Sequence, residues 1–441
     1  MEQLNQTDNY LNKMNSYIKK TIIVLLRLVS QGILWRHKPT VVAITGSVGK
    51  TTTKDVVAHG LSSVENVGKA NKSFNSDFGT PLAIIGMDNP WGSVMGWMKV
   101  VLKGIQIIIK SEYPKILVLE VGTRFPGDIP RIAKWIKPHV SLVTHIPNIP
   151  VHIEFFGTRE NIIDEKSMLV KYTRKEGTVI LNRDTDIFNI MGNMANAVFS
   201  VGFSTEADIY AHSVNRIILN NEQYGMQFMV HVNDQDIPVV VPGFVAMHQI
   251  YGVLYAMAVA KVLNYDVVKV ANSMANLPAT PGRLNPLVGI DGTLILDDSY
   301  NASPAAMEAA IETLSLIDIP GRKIAILGDM LDLGKMTMDA HSKIGLSLKN
   351  TTDYAFLIGP RMQYAYESAI NEKYPKTKIF YFERSLDALP QLQKIMKTGD
   401  AILIKGSQGM RMEQLVAELI EDKENIKNLL VRQDPEWLKR L

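Results

Sequence analysis

A short glycine-rich segment with lysine and threonine carries the clearest chemical signal of the sequence. It reads Thr45-Gly-Ser-Val-Gly-Lys-Thr-Thr52 and lies between an apolar run that predicts a buried strand and a stretch that predicts a helix. In that setting backbone N–H groups and the helix N-terminus converge, which favours a bound polyphosphate. Lys50 would hold the β- and γ-phosphates and Thr51 would coordinate Mg²⁺. The predicted nucleotide-binding residues of this loop are Gly46, Ser47, Val48, Gly49, Lys50, Thr51 and Thr52.

The loop departs from the common eight-residue phosphate loop at one position, where Ile44 replaces the first glycine. The alternative is an ordinary glycine-rich turn between a strand and a helix. Such a turn does not require the Gly-Lys-Thr-Thr run that follows, so the sequence favours a nucleotide site.

Three further side chains have types that suit a metal or phosphate site. Glu120 ends a predicted buried strand, where a carboxylate would face the ligand crevice and complete a Mg²⁺ shell, although a solvated glutamate is an equal alternative on the sequence alone. His152 follows another strand, and such a histidine is more often structural than a ligand. Lys166 lies between acidic residues on a predicted helix, a pattern typical of an exposed surface lysine.

The elements that position these residues predict a mostly parallel sheet wrapped by helices. A change to alternating apolar and polar residues between Val198 and Val241 predicts an antiparallel patch, with turns at Asn220-Asn221 and Asn233-Asp234 and a long helix near 246–263. The buried strands predicted before this patch are Val41–Thr45, Ile116–Glu120, Val140–Thr144 and Thr178–Leu181.

A segment with two prolines and a glycine, Leu277–Gly282, predicts a linker to a second open α/β domain. The strands predicted for that domain are Leu294–Asp298, Ile324–Leu327, Ala355–Ile358, Lys378–Tyr381 and Ala401–Ile404. We predict four units: an N-terminal helical segment at 1–38, a central ATP-binding domain at 39–280, a C-terminal Rossmann-like domain at 281–425, and a tail at 426–441.

The composition of the chain limits the number of domains and the classes of partner that it can have. A chain of 441 residues with 46% apolar and 21% charged residues predicts a folded protein of two or three domains. A net charge of +3 with interspersed signs argues against a nucleic-acid partner. The absence of cysteine excludes disulfides, thiolate metal sites and cysteine nucleophiles, and cytoplasm is the expected compartment.

The most apolar stretch, Ile18 to Leu34, is interrupted by Arg27 and is too short to span a bilayer, so we predict no transmembrane segment and no signal peptide. Helical spacing of its apolar residues predicts an amphipathic helix that packs on the body of the protein, with peripheral membrane contact as the alternative. The residues with this spacing are Ile18, Ile22, Leu25, Val29 and Ile33.

Six segments, taken in order, resemble the Mur ligase family, and most closely its MurF-type members. The resemblance runs from about Thr40 to Glu421, and it implies a phosphate-loop central domain followed by a Rossmann-like ligase domain. The segments are Phe74–Leu82, Glu120–Gly122 with Gly127–Ile129, Pro150–Gly157, Asp297–Pro304, Leu327–Gly334 with His341, and Lys405–Glu413.

The resemblance also implies roles for individual residues. Glu120 would bind one Mg²⁺, His152 a second, and Lys166 would carry a carbamate that acts as an anionic oxygen ligand. Arg283 and Asp298 would approach ATP. The residues expected near the incoming amino acid or dipeptide are Asn301, Lys405 and Ser407, and those expected to act in catalysis are Lys50, His152 and Lys166.

The expected activity is ATP-dependent amide-bond formation through an acyl-phosphate, with ADP and phosphate as products, in the synthesis of cell-wall or wall-like precursors. Two features depart from the family pattern. The run His248-Gln-Ile-Tyr-Gly252 differs from the usual adenine-contacting residues, and only about 40 residues precede the phosphate loop, too few for the family's uridine-nucleotide domain. The expected partners are a small-molecule or peptide precursor and an amino acid or dipeptide, and the oligomeric state is left open.

Two alternatives remain on the sequence alone. The first is a ligase of the same type outside peptidoglycan, acting on a pseudomurein peptide, a poly-amino acid or a secondary metabolite. The second is a regulatory nucleotide-binding protein that has lost ligation, against which the intact Lys50, Thr51, Glu120, His152 and Lys166 speak.

Overall fold

The structure is a computed structural model, and it describes residues 16–70, 75–90, 93–110, 112–219 and 223–438. The predicted turn at Asn220-Asn221 and Phe74 of the first family segment lie outside the described residues.

The first sheet has nine strands within the described residues, in the order β2-β3-β1-β4-β5-β6-β7-β8-β9. The strands from β2 to β7 are parallel, whereas β7, β8 and β9 pair antiparallel, as the sequence predicts. Asn233 and Asp234 join β8 to β9 with φ angles of 51° and 57°, which gives the left-handed two-residue turn predicted there. The strands are β1 Thr40–Thr45, β2 Val67–Lys69, β3 Ile116–Glu120, β4 Val140–Val143, β5 Thr178–Asn182, β6 Val198–Gly202, β7 Ile209–Leu219, β8 Gln223–Val232 and β9 Gln235–Pro242.

Helices cover both faces of this sheet because its central strands are apolar on both sides, as parallel strands must be. The long helix after β9 is buried along most of its length against the helix that follows the phosphate loop. The helices are α1 Ser16–His37, α2 Lys50–Ser62, α3 Gly79–Ile85, α4 Val94–Ile109, α5 Asp128–Ile136, α6 Ile153–Phe156, α7 Arg159–Lys171, α8 Ile187–Gly192, α9 Met247–Val262 and α10 Val267–Ser273.

The second sheet has six described strands in the order β10-β11-β15-β12-β13-β14, and only β10 is antiparallel to its neighbour. The two sheets confirm the predicted α/β class. The strands are β10 Asn285–Gly289, β11 Thr293–Asp298, β12 Lys323–Gly328, β13 Tyr354–Ile358, β14 Ile379–Phe382 and β15 Ala401–Lys405. The helices are α11 Pro304–Leu316, α12 Thr337–Ser347, α13 Met362–Asn371, α14 Leu389–Ile395, α15 Glu413–Leu419, α16 Ile426–Leu429 and α17 Pro435–Leu438.

The predicted linker is held against the second sheet. Gly282 has a φ of 67°, its N–H donates to Asp297 Oδ2 at 3.1 Å, and its carbonyl accepts from the N–H of Tyr300 at 3.1 Å. These bonds fix where the chain enters the second sheet and therefore where Arg283 points. The four domain limits stay predictions.

Helix α1 packs on the body through Leu26 and Ile33, which are fully buried. Its neighbours are α4 and α3. Leu25, predicted to belong to the packed stripe, is instead 44% exposed, and the side chain of Ile18 lies outside the described residues. Within the described part of the chain, no helix is long and apolar enough to cross a membrane.

Candidate active site

One cleft of about 1710 Å³ lies between the two sheets, at the carboxyl ends of β1 and β3 and of β11 and β15. Carboxyl ends of parallel strands are where open α/β sheets bind ligands. Every predicted site residue except Gly46 lines this cleft: Ser47, Val48, Gly49, Lys50, Thr51, Thr52, Glu120, His152, Lys166, Arg283, Asp298, Asn301, Lys405 and Ser407.

The phosphate loop is held in place by the adjacent strand end. Gly49 caps α2 with a φ of 86°, a left-handed conformation that glycine adopts without strain. The N–H groups of Ser47 and Val48 donate to the carbonyl of His145 at 2.9 and 3.1 Å. In this conformation these two N–H groups are therefore not available to a phosphate. The N–H groups of the first turn of α2, which have no acceptor within the helix, would bind it instead.

Gly46 does not line the cleft, and its role in the structure is close packing. A Cβ at this position would collide with the side chain of Thr144, which donates its hydroxyl to the carbonyl of Val48 at 2.7 Å. The missing side chain lets the loop lie against β4.

Lys50 begins α2 with its Nζ 3.4 Å from the carbonyl oxygen of Ser47. The surrounding protein lowers the pKa of Lys50, and the positive charge of Arg283 lowers it further, while Glu120 raises it. Anionic phosphates in the cleft would oppose the first two effects and favour the charged ammonium.

Thr51 and Glu120 form the candidate magnesium position. The Thr51 hydroxyl donates to Glu120 Oε2 at 3.0 Å, and the amide of Asn75 donates to Glu120 Oε1 at 3.0 Å. Mg²⁺ is usually held by one or two carboxylates together with water and substrate phosphates, so this hydroxyl and carboxylate fit one such ion. No cluster of three histidine or acidic side chains that would hold a metal alone exists among the described residues.

Lys166 is not the surface residue that its acidic neighbours indicate. It is 3% exposed, and its Nζ donates to the carbonyl of Gly46 at 2.9 Å. Burial lowers its pKa well below the ordinary value, and Lys50 lowers it further. Glu165 is buried too, but its carboxylate accepts from the N–H groups of Gly127 and Ile129 at the start of α5. Lys166 therefore faces the phosphate loop with a weakly basic amine.

His152 has a φ of 66° immediately before α6, and its Nδ1 lies 3.4 Å from Asp332 Oδ2. Asp332 belongs to the second domain, and the histidine lowers the pKa of this carboxyl. The contact bridges the two domains across the cleft.

Arg283 brings the linker to the phosphate loop. Its guanidinium carbon lies 3.9 Å from the centre of the Tyr300 ring, and one of its nitrogens lies 3.5 Å from the hydroxyl of Thr51. The stacked ring holds the guanidinium beside the loop, where it would meet a terminal phosphate.

The residues predicted to lie near the incoming amine are mostly buried. Lys405 Nζ donates to Asp298 Oδ2 at 2.6 Å and to the carbonyl of Asn301 at 3.0 Å. Burial lowers the pKa of Lys405, while Asp298 raises it. Ser407 accepts through its hydroxyl from the N–H of Leu331 at 2.9 Å, and Asn301 accepts from the N–H of Gln408 at 3.3 Å. Lys405, Asp298 and Asn301 therefore support one another, whereas Ser407 supports the chain at Leu331.

Three side chains of the cleft escaped the site assignment from sequence: Asn75 beside Glu120, Asp332 beside His152, and Tyr300 beneath Arg283. Each lies within a segment that carries the family resemblance, which was the available signal. Their roles depend on contacts between distant segments, which spacing along one segment does not reveal. His341, which was left out of the predicted site, accepts from the N–H of Met330 at 3.0 Å and supports the adjacent loop.

The chain is similar to known proteins over most of its length. A UDP-N-acetylmuramoyl-tripeptide–D-alanyl-D-alanine ligase of Bacillus subtilis is 25% identical over 400 residues, which is 90% of this chain and 80% of the relative. The crystal structure of the MurF ligase from Thermotoga maritima in complex with ADP aligns with a TM-score of 0.74 and 24% identity, over 92% of this chain and 84% of that one.

A pseudomurein peptide ligase type C of Methanothermus fervidus also shares the fold, with a TM-score of 0.63 and 17% identity, over 88% of this chain and 80% of that one. Residues 44–260 match the Mur ligase middle domain, and residues 282–408 match the glutamate ligase domain of Mur ligases. These two matched regions contain the phosphate loop, both acidic strand ends and the linker arginine, and the chain belongs to the Mur ligase family.

Proposed function

We propose that this MurF-like ligase activates the carboxylate of a cell-wall peptide precursor as an acyl-phosphate and joins it to the amine of an amino acid or dipeptide, with release of ADP and phosphate. ATP as substrate and the absence of cysteine favour the cytoplasm. One observation carries the proposal: groups from both domains meet at the phosphate loop, where Arg283 approaches Thr51 and Thr51 bonds to Glu120.

In the first step an oxygen of the precursor carboxylate attacks the γ-phosphorus in line, and the bond to the bridging oxygen of ADP breaks. Lys50 directly precedes Thr51, and a guanidinium nitrogen of Arg283 lies 3.5 Å from the Thr51 hydroxyl. We assign both cations to the oxygens of the transferring phosphoryl group. When bound at Thr51 and Glu120, Mg²⁺ would neutralise further charge on these oxygens.

In the second step the amine attacks the acyl carbon, phosphate leaves, and the nitrogen loses a proton. We assign the amine side of the cleft to Asn301, Lys405 and Ser407, with Asp298 at the boundary to the nucleotide. Because Lys405 is already paired with Asp298 at 2.6 Å, its charge is partly satisfied before a substrate carboxylate arrives. The pair would orient that carboxylate rather than hold it alone.

We propose a carbamate on Lys166, as in the family, and a second Mg²⁺ near His152. Carbamate formation requires a neutral amine, and the lowered pKa of Lys166 favours that form. The new carboxylate-like group would lie beside Gly46 and Lys50 and would add a second anionic ligand to that of Glu120.

The proposal leaves open the identity of the acceptor, the precursor whose carboxylate is activated. The relative from Bacillus subtilis is named for a UDP-linked tripeptide acceptor, whereas the archaeal neighbour is named for pseudomurein peptide ligation. The matched family regions begin at residue 44, so they give no assignment for a uridine-binding element. The assay must therefore vary the acceptor and not only the amine.

The test is amine- and carboxylate-dependent release of ADP, followed by mass spectrometry of the product. The acceptor panel contains a UDP-muramoyl tripeptide, the same tripeptide without the nucleotide, and a pseudomurein-type peptide. D-alanyl-D-alanine and single amino acids serve as amines. We expect a product whose mass equals acceptor plus amine minus water, formed only when both are present.

Lys50→Met is the inactive reference, and Lys171→Met, which changes an exposed lysine on α7, is its matched control. ADP release that needs no amine, or none with any pair while nucleotide still binds, would refute ligation and favour a regulatory nucleotide-binding protein. A product with the pseudomurein-type peptide alone would move the enzyme outside peptidoglycan synthesis.

A further inference from the structure

Helices α1 and α4 present an apolar surface that nothing in the described structure covers. Ten of the 25 large apolar side chains that are exposed in the described part of the chain lie on these two helices. The most exposed are Trp35 at 76% and Ile109 at 77%. Single exposed apolar residues are ordinary on protein surfaces, but a concentration of this kind marks an interaction site.

The exposed side chains form a stripe on each helix. On α1 they include Leu25, Leu28 and Trp35, and on α4 they occur at 95, 98, 102, 105 and 109. Successive steps of three and four residues place such side chains on one face of a helix. Each helix thus has a second apolar face, separate from the one that packs on the body.

The two stripes belong to one continuous surface. A Cβ on Gly104 would collide with Val29, and a Cβ on Gly32 would lie 2.8 Å from Ile108. One glycine on each helix therefore allows the close contact, and the helices run side by side in the same direction. His37 Nε2, 2.9 Å from the carbonyl oxygen of Ile107, ends this contact. Leu28 is next to Val29 in the sequence, and Ile105 is next to Gly104. Both side chains are exposed on the side of the helix pair that faces away from the body.

The rim of this surface is basic. Neither helix contains an aspartate or a glutamate. Lys20 and Arg36 of α1 and Lys99 of α4 are exposed, and Lys103 of α4 is half-buried. By helical geometry the lysines of α4 lie beyond its apolar stripe, on the side away from α1.

The apolar surface and its basic rim together indicate what binds to these two helices. A second copy of the chain would bring two basic rims together with no acid on either helix to balance them, and such repulsion opposes self-association. Apolar side chains with an exposed tryptophan and a lysine rim are the composition of helices that lie in the interface of an anionic bilayer. We propose that the surface formed by α1 and α4 docks this enzyme on a membrane that carries anionic lipids.

Docking would place the reaction close to the bilayer. Ile23 of α1 lines the substrate cleft, and it is five residues from Leu28, which puts the two side chains on nearly opposite sides of the helix. One helix therefore separates the membrane-facing surface from the cleft. Docking does not depend on the proposed activity, because it needs neither nucleotide nor amine.

The test is sedimentation of the full chain with vesicles of phosphatidylcholine alone or mixed with phosphatidylglycerol, without nucleotide. We expect binding to the mixed vesicles that weakens with added salt, and weaker binding to phosphatidylcholine alone. Leu28→Glu and Leu102→Glu should each lower the partition coefficient by about tenfold or more. Leu346→Glu on α12, which is 50% exposed like its counterparts at 58% and 61%, is the matched control and should bind as the unaltered chain does.

Replacing Lys99 and Lys103 together by Gln should weaken binding to the anionic vesicles by about 25-fold, at roughly fivefold for each charge, and leave binding to phosphatidylcholine unchanged. Thermal unfolding of each variant verifies the fold. Failure to bind any vesicle, equal binding to both compositions, or equal loss in Leu346→Glu would overturn the proposal. A chain that is dimeric without vesicles, becomes monomeric in Leu28→Glu and ignores lipid would assign the surface to a second copy instead.

Discussion

Lys166→Met separates two explanations for a buried lysine behind the phosphate loop. Methionine keeps most of the length and volume of the side chain, but it neither donates a hydrogen bond nor accepts CO₂. One explanation is structural, because Lys166 donates to the carbonyl of Gly46 and thereby fixes the loop. The other is the carbamate, which makes Lys166 part of the reacting site.

The structure bounds the structural explanation. Loss of the donor leaves the Gly46 carbonyl without this buried partner, at a cost of about 1–3 kcal/mol. If that were the whole effect, nucleotide affinity and ligation would fall together, by at most about 150-fold. Loss of an anionic ligand at the transferring phosphoryl group would instead lower kcat by about a thousandfold or more while nucleotide affinity stays within the structural limit.

Three measurements make the comparison: the affinity for a fluorescent ATP analogue, kcat for ADP release, and the ¹³C NMR spectrum in ¹³C-bicarbonate. We expect a carbamate resonance in the unaltered enzyme and in Lys171→Met, and its absence in Lys166→Met. Bicarbonate should also raise the activity of enzyme prepared free of CO₂.

Equal losses of affinity and turnover in Lys166→Met, with no carbamate resonance in the unaltered enzyme, would refute the carbamate and leave Lys166 as a support for the loop. Activity at the unaltered level would refute both explanations. Thermal unfolding distinguishes each outcome from a general loss of structure.

Three further changes test other parts of the cleft. Glu120→Gln should raise the Mg²⁺ concentration for half-maximal rate by about 10–100-fold, since it removes the carboxylate that bonds to Thr51; an unchanged magnesium titration would exclude this residue as a metal ligand. Arg283→Lys loses the stacked guanidinium above Tyr300, and kcat/KM for ATP should fall by about tenfold or more while KM for the amine holds; a rise confined to the amine KM would contradict the assignment. Burial raises the pKa of Asp297 to about 6 from 3.8, so the unfolded chain loses this proton first as pH rises. The unfolding free energy of the native chain minus that of Asp297→Asn should therefore fall by about 2 kcal/mol between pH 4 and 6, measured by denaturant titration; a difference independent of pH would show an ordinary carboxyl.

Much of the cleft could be predicted because its residues lie at the ends of regular elements. Glu120 and Asp298 end strands β3 and β11, as the apolar runs before them predict. Parallel strands align their carboxyl ends, so residues distant in sequence converge without knowledge of the loops. The prolines and glycine of the linker likewise predict where the first sheet ends and the second begins. Arg283 directly follows this linker, so its position between the two sheets could be predicted.

Burial was harder to predict than element type. The charged neighbours of Lys166 indicate an exposed helix face, yet Glu165 is buried as the cap of α5 and Lys166 is buried against the phosphate loop. The periodicity of α1 identified an amphipathic helix but not which face the body would cover. Leu25 has the spacing of the packed stripe, yet it is exposed like the outer one.

The cleft's two lysines also explain why a carbamate would belong there. Lys50 is the second cause of the lowered pKa of Lys166, after burial, so the phosphate-binding lysine itself helps to keep its neighbour neutral and able to react with CO₂. A carbamate would replace a competing positive charge by a negative one, and it would give Lys50 an attractive partner beside Glu120. Its ammonium form is then favoured, which is the form that a triphosphate requires. The proposed modification of one lysine would thus prepare the other for its substrate.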